Sequence, residues 1–329
     1  MNSAASPLMI NNSGLNEDKR VNKIKLKNNK LKNSFPGEFL SNWQLYMMAL
    51  PAIVWLGVFS YYPLLWLQVA FKDFNIQDGA WKSPWVGLEN FKFYFESQYF
   101  VTTTINTLYL NTLFIIVEVV VSVGLALLLN EVRNTLVKKI YQSVLFLPFF
   151  LSWIIISAFV YNMFSESFGS INTTLKSLGF EPVAWYSKAE LWPAILTIVN
   201  TWQSAGYYVI IYMASIVSVD PELYEAARMD GANKFHEIKY ITMPHLRPTI
   251  VLMVLLQIGK IFYGNFQMIY SIIGDNGMLF KTTEIIDTYI YRTFGQAAAI
   301  GIYQSVLGFI VVIVSNKLAK KYDDSMGLF

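Results

Sequence analysis

Two charged side chains stand where charge is costly. Glu118 lies about ten residues into one long apolar run and Lys260 about eleven into another, near the midplane of a bilayer if those runs cross it at 1.5 Å per residue. An ionisable residue at that depth is a functional candidate by default. Two arrangements account for the pair. They meet each other and the charge is structural, or they line a water-filled cavity. On a continuous helix Gln257, Lys260, Gly264, Gln267 and Ser271 would share a face, and those amides favour the cavity. Thr107, Asn111, Glu118 and Ser122 form a second stripe at helical spacing, and Asn200, Gln203, Ser204 and Tyr207 a third patch with Trp202 beside it. Hydrogen bonding between helices would account for most residues of this kind.

Other chemistry is excluded early. The chain has no cysteine, so neither a thiolate metal site nor a cysteine nucleophile can form. His236 and His245 lie nine apart with Pro244 between them, which is no metal-ligand spacing; they read as surface histidines. The phosphate-binding Gly-x-x-x-x-Gly-Lys-[Ser/Thr] pattern occurs nowhere in the chain.

The elements that must hold these residues are membrane helices. Of 329 residues, 54% are hydrophobic and 14% charged, against roughly 25% charged in ordinary soluble proteins. A soluble domain could not hide that much apolar surface. The net charge of +3 is too small and too dispersed for a nucleic-acid partner. Six stretches reach the roughly 20 apolar residues a spanning helix needs: 45–71, 108–129, 140–164, 191–217, 249–273 and 297–315. Pro51 and Pro63 predict a kink in the first. The fold class is therefore an all-α polytopic membrane protein with six transmembrane helices.

Residues 1–40 differ in kind. They are rich in Asn, Ser and Lys, and the first apolar run begins too late and runs too long for a secretory signal. They read as a loose basic tail, and residues 41–329 as one six-span domain. Seventeen Lys and Arg fall on the side of the two termini and seven on the other, with Lys260 inside a span. The positive-inside rule then places both termini in the cytoplasm.

The link between the fourth and fifth spans, residues 218–248, reads as structured. Asp220 is an N-cap, Pro221 suits the first turn, and Glu222 sits at the positive helix end. Gly231 is a natural stop, and a second short helix runs through Phe235, Ile238 and Ile241 until Pro244. Such a pair either lies on lipid or docks a cytoplasmic partner.

Glu225-Ala226-Ala227, then Asp230-Gly231, then Ile241 and Pro244 resemble the "EAA" loop of binding-protein-dependent ABC importer permeases. Trp43-Gln44-Leu45-Tyr46, 71–75, 83–87 and 127–133 resemble the polysaccharide-type members, relatives of the maltose and alginate importer subunits; the likeness extends over about residues 43–329. Met243 stands where Leu is commoner. The resemblance implies the type I importer fold in a bacterial plasma membrane. It makes the loop a coupling helix seated in an ATPase groove: Glu225 meets basic residues, Ala226 and Ala227 allow close seating, and Gly231 permits the turn. It also implies two copies of a cytoplasmic ATPase carrying ATP and Mg, no cofactor on this chain, a second permease making a heterodimer, and an extracellular solute-binding protein or lipoprotein. The cargo would be an oligosaccharide. Amide, tyrosine and indole groups at Asn200, Trp202, Gln203, Tyr207, Gln257 and Gln267 suit sugar hydroxyls and a sugar face, and Lys260 the carboxylate of an acidic sugar. The aromatic first external loop, from Trp81 to Phe100, divides between an interfacial belt and a docking rim for the binding protein.

Two other classes compete. A secondary sugar transporter would show inverted repeats around a midplane ion site, and no convincing internal repeat is present. A membrane-embedded enzyme would need clustered acids, histidines or a nucleophile.

Overall fold

The computed structural model describes residues 42–293 and 295–322; the basic tail expected over 1–40 lies outside them. The described residues are helical, and the only β feature among them is an isolated bridge between Lys72 and Trp85. The chain divides into two units at Trp66 and Leu67. In the first unit begins helix α1, Trp43–Phe71. It is α-helical to Leu56 and relaxes through a π-turn at Gly57–Tyr61 into 3-10 geometry from Tyr62. Pro51 is absorbed within the α segment. The geometry changes at Gly57 and just before Pro63, where a missing N–H and a bulky ring disfavour a regular turn.

In the second unit, α2 (Glu89–Glu96) leads into α3 (Gln98–Asn130), 33 residues without a break. The predicted third span is not one straight helix. It is α4, Thr135–Phe146 extended by a 3-10 turn to Phe150, followed by α5, Trp153–Phe164, and the two meet at 97°. Pro148 lies in the 3-10 turn, and the Ser152 hydroxyl accepts from the Ile155 N–H to start α5. A short surface helix, α6 (Ser170–Ser177), precedes α7, Trp192–Val217. Next come α8 (Pro221–Met229), α9 (Lys234–Ile258), α10 (Phe266–Ile273), α11 (Ile286–Arg292) and α12 (Ala297–Tyr322).

Four of the described helices, α1, α3, α9 and α12, are long and apolar enough to cross a membrane, and the bent α4–α5 pair makes a fifth if counted as one span. At 26 residues α7 has the length, about 39 Å, but its polar patch dilutes its apolarity.

The core forms where α3 and α7 run against each other. One cluster gathers Leu110 and Phe114 of α3, Trp192 and Leu196 of α7, Ile156 of α5 and Met268 of α10. A second gathers Val123 and Ala126 of α3, Val209 and Tyr212 of α7 and Leu246 of α9. At Gly206 the backbone of α7 presses on α4: a Cβ there would lie 2.1 Å from the Leu145 carbonyl oxygen. Tyr94 of α2, within the aromatic loop between α1 and α3, is buried against Tyr289 and Ile300 and bonds Thr103 at 3.0 Å. Trp81, Trp85 and Phe93 stay exposed, so the loop's aromatics divide between core and surface.

Candidate functional site

The loop after α7 is built by its caps. The Asp220 carboxylate accepts from the Glu222 N–H at 3.0 Å, and Pro221 opens α8. The helix closes at Gly231, whose φ of +84° is the left-handed conformation that suits glycine. There the Ala232 N–H donates to the Ala227 carbonyl at 2.9 Å, and Asn233 caps the next helix by accepting from the His236 N–H. Glu225, Ala226, Met229 and Asp230 are exposed and Ala227 half-buried, so the triplet presents an open face.

The second short helix expected from the sequence does not exist as a separate piece. Lys234 to Ile258 is one helix that continues through Pro244, with a π-turn over Ile238–Thr242. In a regular α-turn the Pro244 ring would clash with the carbonyl four residues back; the wider turn gives it room. Pro244 therefore sits in a helix and ends nothing.

What fixes this loop is a set of contacts that no motif announces. Glu237, on the loop end of α9 and ahead of the apolar stretch that begins at residue 249, is 4% exposed. It accepts from Arg228 Nε at 2.8 Å and from Lys234 Nζ at 3.1 Å. Lys234 also reaches Glu131, at the end of α3, at 3.1 Å. Tyr224 and Thr242 share a hydrogen bond of 3.0 Å. The Arg228 guanidinium, then Lys234, hold the Glu237 carboxyl below the usual glutamate range. The readable signal is opposite charge on either side of the glycine turn.

The intramembrane candidates separate. Glu118 is buried, accepting from Ser122 at 3.1 Å and from Ser204 across the α3–α7 contact. It neither pairs with Lys260 nor opens on a cavity, because two hydroxyls satisfy it within the packed seam. Lys260 is exposed and, among the described residues, makes no ion pair. The fifth span breaks directly before it: α9 ends at Ile258 and α10 starts at Phe266. The continuous face from Gln257 to Ser271 is thus interrupted, since Gly259, Gly264 and the N-cap Asn265 favour leaving the helix. Gln257 stays on the last turn of α9, its Nε2 buried and without a hydrogen-bond partner, while Gln267 is exposed on α10.

The fourth-span patch also divides. Ser204 turns to Glu118. Gln203 Nε2 donates to the Phe149 carbonyl at 3.2 Å, and Tyr207 stacks on the Phe149 ring at 5.1 Å. Asn200 is half-buried, and its carbonyl accepts from Ser204. Trp202 lines a different feature, an apolar groove of about 520 Å³ with Ile198, Phe159 and Met163. Asn111 and Thr107 bond across elements, to the Ile261 carbonyl at 2.7 Å and from the Ile286 N–H at 3.0 Å.

Comparison with known proteins agrees with this architecture. Residues 118–324 match the family described as "Binding-protein-dependent transport system inner membrane component". Protein LplB of Bacillus subtilis (strain 168) is 34% identical over 87% of this chain and 91% of its own length. The polygalacturonan/rhamnogalacturonan transport system permease protein YteP of the same organism is 34% identical over 85% of this chain and 88% of its length. Among solved structures, a bacterial ABC transporter involved in the import of the acidic polysaccharide alginate superposes with a TM-score of 0.79 at 32% identity, covering 87% of this chain and 98% of that one. The bacterial alginate transporter in complex with its alginate pentasaccharide-bound periplasmic protein gives 0.78 at 31% identity, covering 87% and 96%. With the family match spanning more than half of the sequence, the chain belongs to the binding-protein-dependent inner membrane components, the multi-pass plasma-membrane permeases of ABC importers.

Proposed function

We propose that this permease passes oligosaccharides bearing carboxylates, and that Lys260 is their charged contact. One observation carries the reading: Lys260 stands exposed at a break in the fifth predicted span, unpaired among the described residues. A lysine left facing hydrocarbon without an anion is costly at membrane depth, about 2.5–3.5 kcal/mol on insertion scales. Broken backbone at that depth is tolerated where protein or a water-filled cavity receives it. Gln257, three residues earlier on the last turn of α9, carries a buried amide nitrogen without a partner among the described residues. Gln203, Tyr207, Asn200 and Gln267 supply further hydroxyl partners, and Trp202 a ring for a sugar face. Glu118 serves the path by locking α7 to α3. The relatives support an acidic cargo: YteP's name is of polygalacturonan and rhamnogalacturonan transport, and the matching structure is of an alginate importer.

Family membership supports a reading of the rest of the machine and favours it over a secondary transporter. Six spans with both termini cytoplasmic form one half of a path completed by a second permease. The face of α8 that exposes Glu225, Ala226 and Asp230, with Ala227 half-buried beside them ahead of the Gly231 turn, seats in a cytoplasmic ATPase. Two such ATPase subunits hold ATP and Mg; this chain hydrolyses nothing and binds no cofactor. An extracellular solute-binding protein delivers the sugar.

Lys260→Met tests the cargo. In vesicles holding the full transporter, uptake of acidic oligosaccharides should fall at least tenfold, about 1.4 kcal/mol of lost stabilisation, while neutral ones of equal length are unaffected. Equal loss for both, or for neither, would remove Lys260 from the path.

A further inference from the structure

Seven residues, from Gly259 to Asn265, leave the helix between α9 and α10. Leaving it strands backbone groups that a membrane cannot hydrate. Three other elements satisfy them. Asn111 of α3 donates its Nδ2 to the Ile261 carbonyl at 2.7 Å. Gln304 of α12 donates its Nε2 to the Phe262 carbonyl at 2.7 Å. Asp287 of α11 accepts from the Gly264 N–H at 2.8 Å, and its same oxygen accepts from Gln304 at 3.0 Å. The segment's own bonds are short turns: Lys260 N–H to the Gln257 carbonyl, and Tyr263 N–H to the Lys260 carbonyl at 2.8 Å. A Cβ at Gly264 would lie 2.1 Å from Ile285 Cδ1, the end of a side chain, and 3.2 Å from Asp287 Oδ2.

We propose that Asn111, Asp287 and Gln304 are positioning residues whose side chains hold this break open and so set where Lys260 stands. The inference rests on Lys260 as the cargo contact, but its geometry is independent of what the cargo is. The three side chains replace the hydrogen bonds a continuous helix would have made. Gln304 is 3% exposed and joins two of the anchors, the Phe262 carbonyl and Asp287, into one unit. Without these partners the orphaned carbonyls have only their own chain to turn to. The segment then rewinds or shifts, and the lysine leaves the exposed position. Asp287 acts here as a hydrogen-bond acceptor, not as a counter-ion: its Oδ2 meets an N–H of the break and an amide.

The test uses the absence of native cysteine and needs no sugar. Lys260→Cys is introduced into the assembled transporter, and its reaction rate with a charged methanethiosulfonate reagent is measured in the purified complex. A separate variant, Ser177→Cys on the exposed end of α6, reports overall integrity. Asn111→Leu and Asp287→Ala should each slow labelling at position 260 by roughly tenfold, the factor that one or two lost net hydrogen bonds are worth. Labelling at position 177 should not change. Asp287→Asn keeps an acceptor for the Gly264 N–H and should label at the wild-type rate. Unchanged labelling at position 260 in Asn111→Leu and Asp287→Ala would overturn the proposal. So would equal slowing in Asp287→Asn, or failure of that conservative variant to assemble. A neutral result for Lys260→Met in sugar uptake would fail the cargo reading and leave this one standing.

Discussion

Glu237 is buried while its cationic partners reach it from the surface, and that asymmetry sets how the loop responds to acid. The folded carboxyl binds its proton less readily than the unfolded one, because Arg228 and then Lys234 bond the charged form. Its contribution is therefore present in full above the ordinary glutamate value of about 4.3 and is lost only as the pH falls through the lowered folded value. ATPase stimulation by loaded binding protein should accordingly be insensitive to this group from about pH 8 down to pH 5. Arg228→Ala leaves a buried carboxylate short of a partner, a costly state, so Glu237 should take up its proton at higher pH. Stimulation in that variant should drop and become acid-sensitive; superimposable pH profiles for the two proteins would show that the ion pair does not fix the loop. The turn at Gly231 is legible from the glycine's place after a capped helix. Arg228 and Glu237 lie in the same short stretch yet are not, because a salt bridge across a turn has no fixed spacing until the turn's geometry is known.

Helix against helix, α7 lies close on α4 at Gly206. A methyl group there has backbone, not a flexible side chain, in its way. Gly206→Ala must push the helices apart, and overpacking of this kind costs about 1–3 kcal/mol. The melting temperature of the purified complex should fall for Gly206→Ala. It should hold or rise slightly for Gly124→Ala, where nothing lies within 4 Å and alanine is the better helix former. Equal melting of the two variants would contradict the close contact. Element existence is legible in the apolar runs, since a run of 20 such residues has few other uses. What the runs hide is where a helix stops inside one. The 97° bend at Pro148–Ser152 and the break at Gly259–Asn265 both fall within stretches that read as single spans. Pro148, Gly259 and Gly264 are visible in the sequence, but proline and glycine are common in membrane helices. Whether a helix yields at them depends on partners elsewhere in the chain, such as Asn111 and Gln304. Glu118 shows the same limit: its depth is readable, but not the two serines that satisfy it.

For the whole molecule, orientation is the expectation that rests on sequence alone. Single cysteines at Ser13 and Ser325 should resist an impermeant thiol reagent in intact cells, and one at Ser177 should react; the reverse pattern would invert the topology. The loop after α7 and the break that holds Lys260 lie at the two ends of one continuous helix, α9. Within that helix the π-turn at Ile238–Thr242 holds one residue more than a regular turn needs, with the Met243 N–H bonding the Ile238 carbonyl. A chain one residue shorter at this place can close into an ordinary α-turn and keep both ends in phase. A deletion farther along, between Leu246 and Ile258, has no such slack and would rotate Gln257 and Lys260 by about 100° relative to the loop. The span from loop to break thus contains a single position at which its length can change by one residue without turning the far end away.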